Sequence, residues 1–134
     1  VIHADSSFLI ALSRELKRQQ PGPAQAFLTA HGSEPLVVSD VVRAELYAGI
    51  AVSPHPDAEA ARLRAILEVT ESASLSEQSA RRYGELYGEL RRRGTTVGSM
   101  DLLIAAIALV ADAPLLTANH RDFSRIPGLR VLSY

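Results

Sequence analysis

VIHADSSFLIAL, residues 1–12, packs a strand, an acid and the start of a helix into one short stretch. Val1 to Asp5 alternates apolar and small residues and reads as a short strand. Asp5, Ser6 and Ser7 then offer side-chain oxygens to the free N–H groups of a helix over about Phe8–Arg18, which carries Leu9, Leu12 and Leu16 on one face. The same strand-then-capped-helix unit returns at Leu36–Ser39. There Ser39 or Asp40 caps a helix over about Val41–Ala51, and Glu45 falls roughly one turn in. Further strands are expected at Glu68–Thr70, Leu115–Thr117 and Val131–Leu132.

The intervening segments read as helices. Pro23 begins one that runs through His31 after the break at Gln19–Pro23. Asp57–Leu67 follows the Ser53–Pro56 loop. Ser74 with Glu77 is a possible capping box ahead of a long helix to Arg93, stopped by Gly94, with Tyr83, Leu86, Tyr87 and Leu90 as its apolar stripe. Ser99 is expected to cap the most hydrophobic helix, with Asp101 in its first turn and Ala113-Pro114 at its end. Strands alternating with helices imply a single α/β domain spanning residues 1–134, with a central, mostly parallel sheet of about five short strands flanked by helices.

This architecture gives four acids a common address. Asp5 ends the first strand, Glu45 and Asp101 lie in early helical turns, and Asp122 follows a strand. All four belong to the carboxyl edge of the sheet, where such folds gather ligands. Carboxylates that share a pocket repel one another unless a cation sits between them. Oxygen-only donors suit Mg²⁺ or Mn²⁺ better than zinc. Each acid also has a plainer reading. Asp5 could cap its helix, Asp101 could favour the helix dipole, Glu45 could pair with Arg43, and Asp122 could pair with Arg121 or Arg125.

Composition narrows the function classes. The chain has 134 residues, 47% of them hydrophobic, and no cysteine, which removes disulfides, thiolate catalysis and Cys-ligated zinc. The absence of cysteine also fits a reducing cytoplasm. No signal-peptide pattern is visible, and the longest apolar run, Leu102–Ala111, is too short to span a bilayer, so no membrane partner is expected. Of the 14 basic residues, all but Lys17 are arginine. Arginine's planar fork matches phosphate, so Arg121 and Arg125, which flank Asp122, are candidates for holding a phosphodiester. His3, His31, His55 and His120 show no metal-ligand spacing.

Read together, VIHADSSFLIAL, VSDVVRAELYAGI, ARRYGELYGELRRRGTTVGSMDLLIAAIAL and LLTANHRDFSRIPGLRVL resemble the successive motifs of PIN-domain ribonucleases. The resemblance is specifically to the VapC-type toxins of toxin–antitoxin pairs, and it runs nearly end to end. It implies that Asp5 and Asp101 are the principal Mg²⁺ (or Mn²⁺) ligands and that Glu45 completes the cluster, directly or through water. The fourth position is divided: many relatives carry an acid where this chain has Asn119, while Asp122 matches the DF motif. Ser7 and Thr117 match small polar positions that would orient carboxylates or water. The expected activity is metal-dependent hydrolysis of RNA, of tRNA or rRNA type. The expected partners are a VapB-type antitoxin and a second copy of the chain.

Two other readings compete with this one. A Mg²⁺-dependent phosphatase on a similar sheet wants a second Asp two residues after the first, and position 7 is Ser. A phospho-receiver needs a well-placed lysine, and Lys17 sits far along the first helix. The other alternative is a catalytically silent protein that keeps the fold for binding.

Overall fold

The computed structural model describes residues 1–134. Five strands form one sheet in the order β3-β2-β1-β4-β5, with every neighbouring pair parallel. They are β1 (Ile2–Ala4), β2 (Leu36–Ser39), β3 (Glu71–Ala73), β4 (Leu115–Leu116) and β5 (Val131–Leu132). The expected mostly parallel sheet is therefore wholly parallel. Its register sets His3 opposite both Val37 and Leu115. The three inner strands are short and buried on both faces, as a parallel sheet covered by helices requires. The two edges are short, and β3 is polar, so neither presents a long apolar edge to another chain.

Seven helices flank the sheet: α1 (Ser6–Arg18), α2 (Pro23–Ala30), α3 (Asp40–Ala51), α4 (Pro56–Glu68), α5 (Glu77–Arg92), α6 (Ser99–Val110) and α7 (His120–Phe123). By contact, α1 packs on α2, α3 and α4, whereas α6 packs on α5, α3 and α7. The core joins Phe8 and Leu9 of α1, Val38 of β2, Val42 and Leu46 of α3, Leu86 of α5, Leu102, Ala105 and Ala106 of α6, and Phe123 of α7, all buried. Helix α6 buries nearly its whole circumference, which accounts for its unbroken apolar sequence.

Several boundaries differ from those expected. The residues after α4 continue its last turn, with the Val69 and Thr70 amides bonding back to Ile66 and Leu67, so the strand begins at Glu71. Ser76 rather than Ser74 caps α5, through the Ser79 amide at 3.0 Å. Gly98 occupies the N-cap of α6 without a side-chain bond, and Ser99 is its first helical residue. In each case a nearby residue with the right chemistry drew the boundary a few positions away. The short helix α7 was not anticipated; Asn119 caps it, accepting from the Asp122 amide at 3.5 Å.

Candidate active site

Strand β1 lies at the centre of the sheet, and the chain proceeds from it outward to β2 and β3 before crossing to β4 and β5. The crevice between β1 and β4 is thus the topological switch point, where ligands bind beyond the carboxyl ends of strands. Asp5 and Thr117 are the residues that leave those two strands. The Asp5 amide continues the ladder by donating to Leu116 O at 3.1 Å, which fixes the residue's backbone before its side chain is considered.

The Asp5 carboxylate is buried and held at both oxygens. Oδ1 accepts from Ser7 Oγ at 2.6 Å and from the Phe8 amide at 3.3 Å, and Oδ2 accepts from Thr117 Oγ1 at 2.5 Å. Asp5 therefore does cap α1, but capping uses one lone pair of Oδ1 and leaves others free. The two hydroxyls are themselves aimed: Ser7 Oγ accepts from the Ala118 amide at 3.0 Å and Thr117 Oγ1 from the Asn119 amide at 2.9 Å. With those lone pairs occupied, both hydroxyl protons are directed at Asp5. Its orientation is locked in a way that no single partner could achieve.

The other three acids lie near enough to Asp5 or to one another for their charges to interact. Glu45, about one turn into α3, accepts from Ser6 Oγ at 3.1 Å and does not pair with Arg43. Burial holds its carboxyl above the usual range against the Ser6 hydrogen bond, and the charges of Asp101 and Asp5 add to the rise. Asp101 is raised by burial and by the charges of Asp122 and Asp5. Asp122 accepts from Asn119 Nδ2 at 3.1 Å. It makes no ion pair with Arg121 or Arg125; both arginines are rooted around α7, and Arg125 Nη1 donates to Thr96 O at 3.2 Å.

None of the four acids has a cationic partner: every salt bridge in the protein joins other residues. As the side chains stand, no three acidic or histidine residues come together closely enough to hold a metal ion. The result is a looser, oxygen-only, negatively charged cluster in which the Glu45 and Asp101 carboxyls are raised. Such donors suit a hard divalent cation which keeps several waters better than they suit zinc. A cavity of about 750 Å³ lies at the opposite edge of the sheet, lined by Leu12, Leu28, Leu36 and Ile66 among others, and holds no comparable group of acids.

A PIN-domain family model matches residues 2–129. The chain belongs to the PIN-domain family. Within it the similarity is to VapC-type ribonucleases. Ribonuclease VapC2 of Rickettsia felis is 36% identical over 94 residues, covering 70% of each protein. The tRNA(fMet)-specific endonuclease VapC of Salmonella typhimurium is 32% identical over 96 residues, covering 72% of this chain and 73% of its own. Among solved structures, a VapBC2 complex from Rickettsia felis bound to a DNA fragment of its promoter contains a chain that superposes with a TM-score of 0.90 at 27% identity, covering 99% of this chain and 98% of that one. The VapC-type PIN chain is a nuclease, and hence a hydrolase.

Two contributors to this PIN site escaped the sequence reading. Ser6 had been assigned only to the helix cap, yet its hydroxyl reaches Glu45 across 39 positions of sequence. Tyr134 had no role; its ring meets Phe8 edge-on at 5.0 Å between centroids, and its hydroxyl donates to Ser7 O at 3.3 Å. The Ser6-Ser7 pair carried a signal in retrospect, because adjacent residues in a first helical turn point to different neighbours. Nothing in the sequence marked Tyr134.

Proposed function

We propose that this PIN domain is a Mg²⁺- or Mn²⁺-dependent endoribonuclease and the toxin of a toxin–antitoxin pair. The observation that carries the reading is the convergence at the β1/β4 crevice of four carboxylates with no cation partner, two of them held above their ordinary pKa by burial and by one another. Added positive charge relieves the repulsion among such carboxylates, and phosphodiester hydrolysis is a chemistry that uses it.

Asp5 and Asp101 would hold the ion, and Glu45 would complete the set directly or through water. When bound, such a cation would supply positive charge against the phosphoryl oxygens and lower the pKa of a water in the site. Glu45, whose carboxyl is already raised, accepts the proton of the attacking water. Ser7 and Thr117 keep Asp5 in one orientation during the reaction. Asn119 holds Asp122 by its amide, so the fourth acidic position is shared between a charge and a neutral donor. Attack by water leaves no covalent enzyme intermediate.

The substrate class is RNA of tRNA or rRNA type, in keeping with the tRNA(fMet) specificity of the Salmonella relative. The partner is a VapB-type antitoxin, as in the Rickettsia complex. The working form is a cytoplasmic homodimer. The test is incubation of the purified protein with total tRNA and rRNA, and separately with a phosphomonoester, in Mn²⁺ or EDTA. RNA cleavage that requires Mn²⁺ and disappears in Asp101→Asn is expected. Monoester turnover without RNA cleavage would transfer the site to a phosphatase, and inertness to both would leave a binding protein.

A further inference from the structure

The chain has a net charge of −1, and its active-site recess is itself negative, so nothing in the global field draws RNA towards it. Attraction must come from a local surface, and the arginines are not equivalent in this respect. On α5, Arg81, Arg82 and Arg93 are committed to Glu77, Glu85 and Glu89 at 3.1, 3.0 and 2.7 Å. Arg91 and Arg125 have no carboxylate partner. Each makes one neutral hydrogen bond, Arg91 Nη1 to Tyr87 Oη at 3.1 Å and Arg125 Nη1 to Thr96 O at 3.2 Å, which fixes the guanidinium while leaving most of its N–H groups free.

These two arginines flank one loop. Gly94, Thr95, Thr96 and Arg125 alone line an open recess of about 480 Å³ that contains no apolar side chain. The same three loop residues, with Arg91, Tyr87, Leu90, Val97 and Leu102, wall an adjoining, half-apolar recess of about 260 Å³. The Thr95 and Thr96 hydroxyls make no hydrogen bond within the protein, and Gly94 turns the chain at a φ of +68° that side-chain-bearing residues avoid. The backbone ties the recess to the acids. The loop runs directly into α6 and Asp101, and the Arg125 amide bonds to Asp122 O at 3.3 Å.

We infer that the Gly94–Thr96 loop, clasped between Arg91 and Arg125, is a binding track for the phosphates of single-stranded RNA flanking the scissile bond. This inference rests on the nuclease reading. Two fixed guanidiniums and two free hydroxyls supply the charge and the donors that consecutive phosphates require, and they lie on the approach to Asp101 and Asp122. Single-stranded RNA fits because the recess is open and has no apolar wall on the Arg125 side, so it follows the backbone and leaves the bases free.

The test measures binding of labelled oligouridylate across a salt series in an Asp101→Asn background, where RNA stays intact, alongside cleavage by the wild type. Arg91→Ala/Arg125→Ala is expected to raise Kd about tenfold or more and to flatten the log Kd against log salt plot by about 1.4, the loss of two single-strand phosphate contacts. Arg91→Ala alone, which leaves the Arg125–Thr96 bond intact, should flatten it by about half as much. Arg81→Ala, which removes an already paired arginine from the same helix, should leave both quantities unchanged. If the wild type cleaves RNA but the Arg91/Arg125 variants bind like Arg81→Ala, the track is wrong and the nuclease reading stands. If the wild type neither cleaves nor binds RNA, both fall.

Discussion

Replacing Thr117 by valine tests the Asp5 lock directly. Threonine and valine have nearly the same shape, and Thr117 is fully buried, so the substitution removes a hydroxyl without opening a cavity. Three contacts are lost: the 2.5 Å donation to Asp5 Oδ2, the 2.9 Å acceptance from the Asn119 amide and the longer 3.4 Å contact with Ser7 Oγ. A hydrogen bond to a charged group contributes about 1.5–3 kcal/mol, and the amide left without its acceptor at the start of α7 adds to the loss. The expected destabilisation is about 2–3 kcal/mol. For a chain of this length that corresponds to a fall in Tm of roughly 7–10 °C. Thr117→Ser keeps the hydroxyl and loses only a methyl group, so its cost is about 1 kcal/mol. Thermal unfolding in EDTA measures this stability effect. Titration of the folded variants with Mn²⁺ measures the second effect, an expected fall in affinity of about 10–100-fold for Thr117→Val, because a ligand-orienting partner has gone. The reasoning is refuted if Thr117→Val binds Mn²⁺ like the wild type, or if Thr117→Ser is damaged as severely, since the methyl group rather than the hydroxyl would then be responsible.

Two further outcomes follow from the charges. Asp101 is raised above its ordinary pKa by burial and by Asp122 and Asp5, so its ionisation opposes folding and the opposition grows as pH rises through the carboxyl range. Without metal, Asp101→Asn is expected to gain about 1 kcal/mol at neutral pH while losing nuclease activity, a typical trade at a functional site; calorimetry in EDTA should register the gain, and a loss would contradict it. Glu15 has the opposite sign. Burial tends to raise its carboxyl, but the amides of Gln25, Ala24 and Gly22 together hold it below its ordinary value of 4.5. The three bonds run from 2.8 to 3.0 Å and tie the end of α1 to the start of α2. Their contribution is complete above the unfolded-state pKa and is lost as pH falls through the lower folded-state value. Glu15→Gln should therefore cost about 2 kcal/mol at pH 7, with the gap to wild type closing in acid; a gap that stays constant with pH would show that the charge is irrelevant.

The fold was largely readable because its units are local. Strands β1 and β2 are largely apolar runs that end at a capping residue, and Asp5 and Ser39 cap their helices as their chemistry requires. Boundaries failed where several residues competed for one role. Ser74 and Ser76 are both acceptable caps, and only the position of the Ser79 amide selects Ser76. The four-residue helix α7 is too short for periodicity to register. The order of strands lay beyond local signals, since nothing near β1 says that β2 and β4 will lie on either side of it. The site divided along the same line. Acids at the ends of elements could be placed on one edge of the sheet, whereas the Ser6–Glu45 and Thr117–Asp5 bonds depend on tertiary approach. The cluster of arginines on α5 misled by sequence alone, because most are neutralised one helical turn away.

The central position of β1 also governs when the site can exist. Asp5 is made well before its partner: the hydroxyl that fixes its Oδ2 follows 112 residues later. Until β4 has been made and inserted beside β1, the switch-point crevice has only one wall, and Asp5 can rely only on Ser7 and the Phe8 amide. Long-range parallel pairing of this kind forms late, after the loop-closure cost has been met. The Asp5 lock therefore cannot be completed before the stretch from Asp5 to Thr117 has been made. The topology acts as a timer, holding back the finished site until β4 has joined β1.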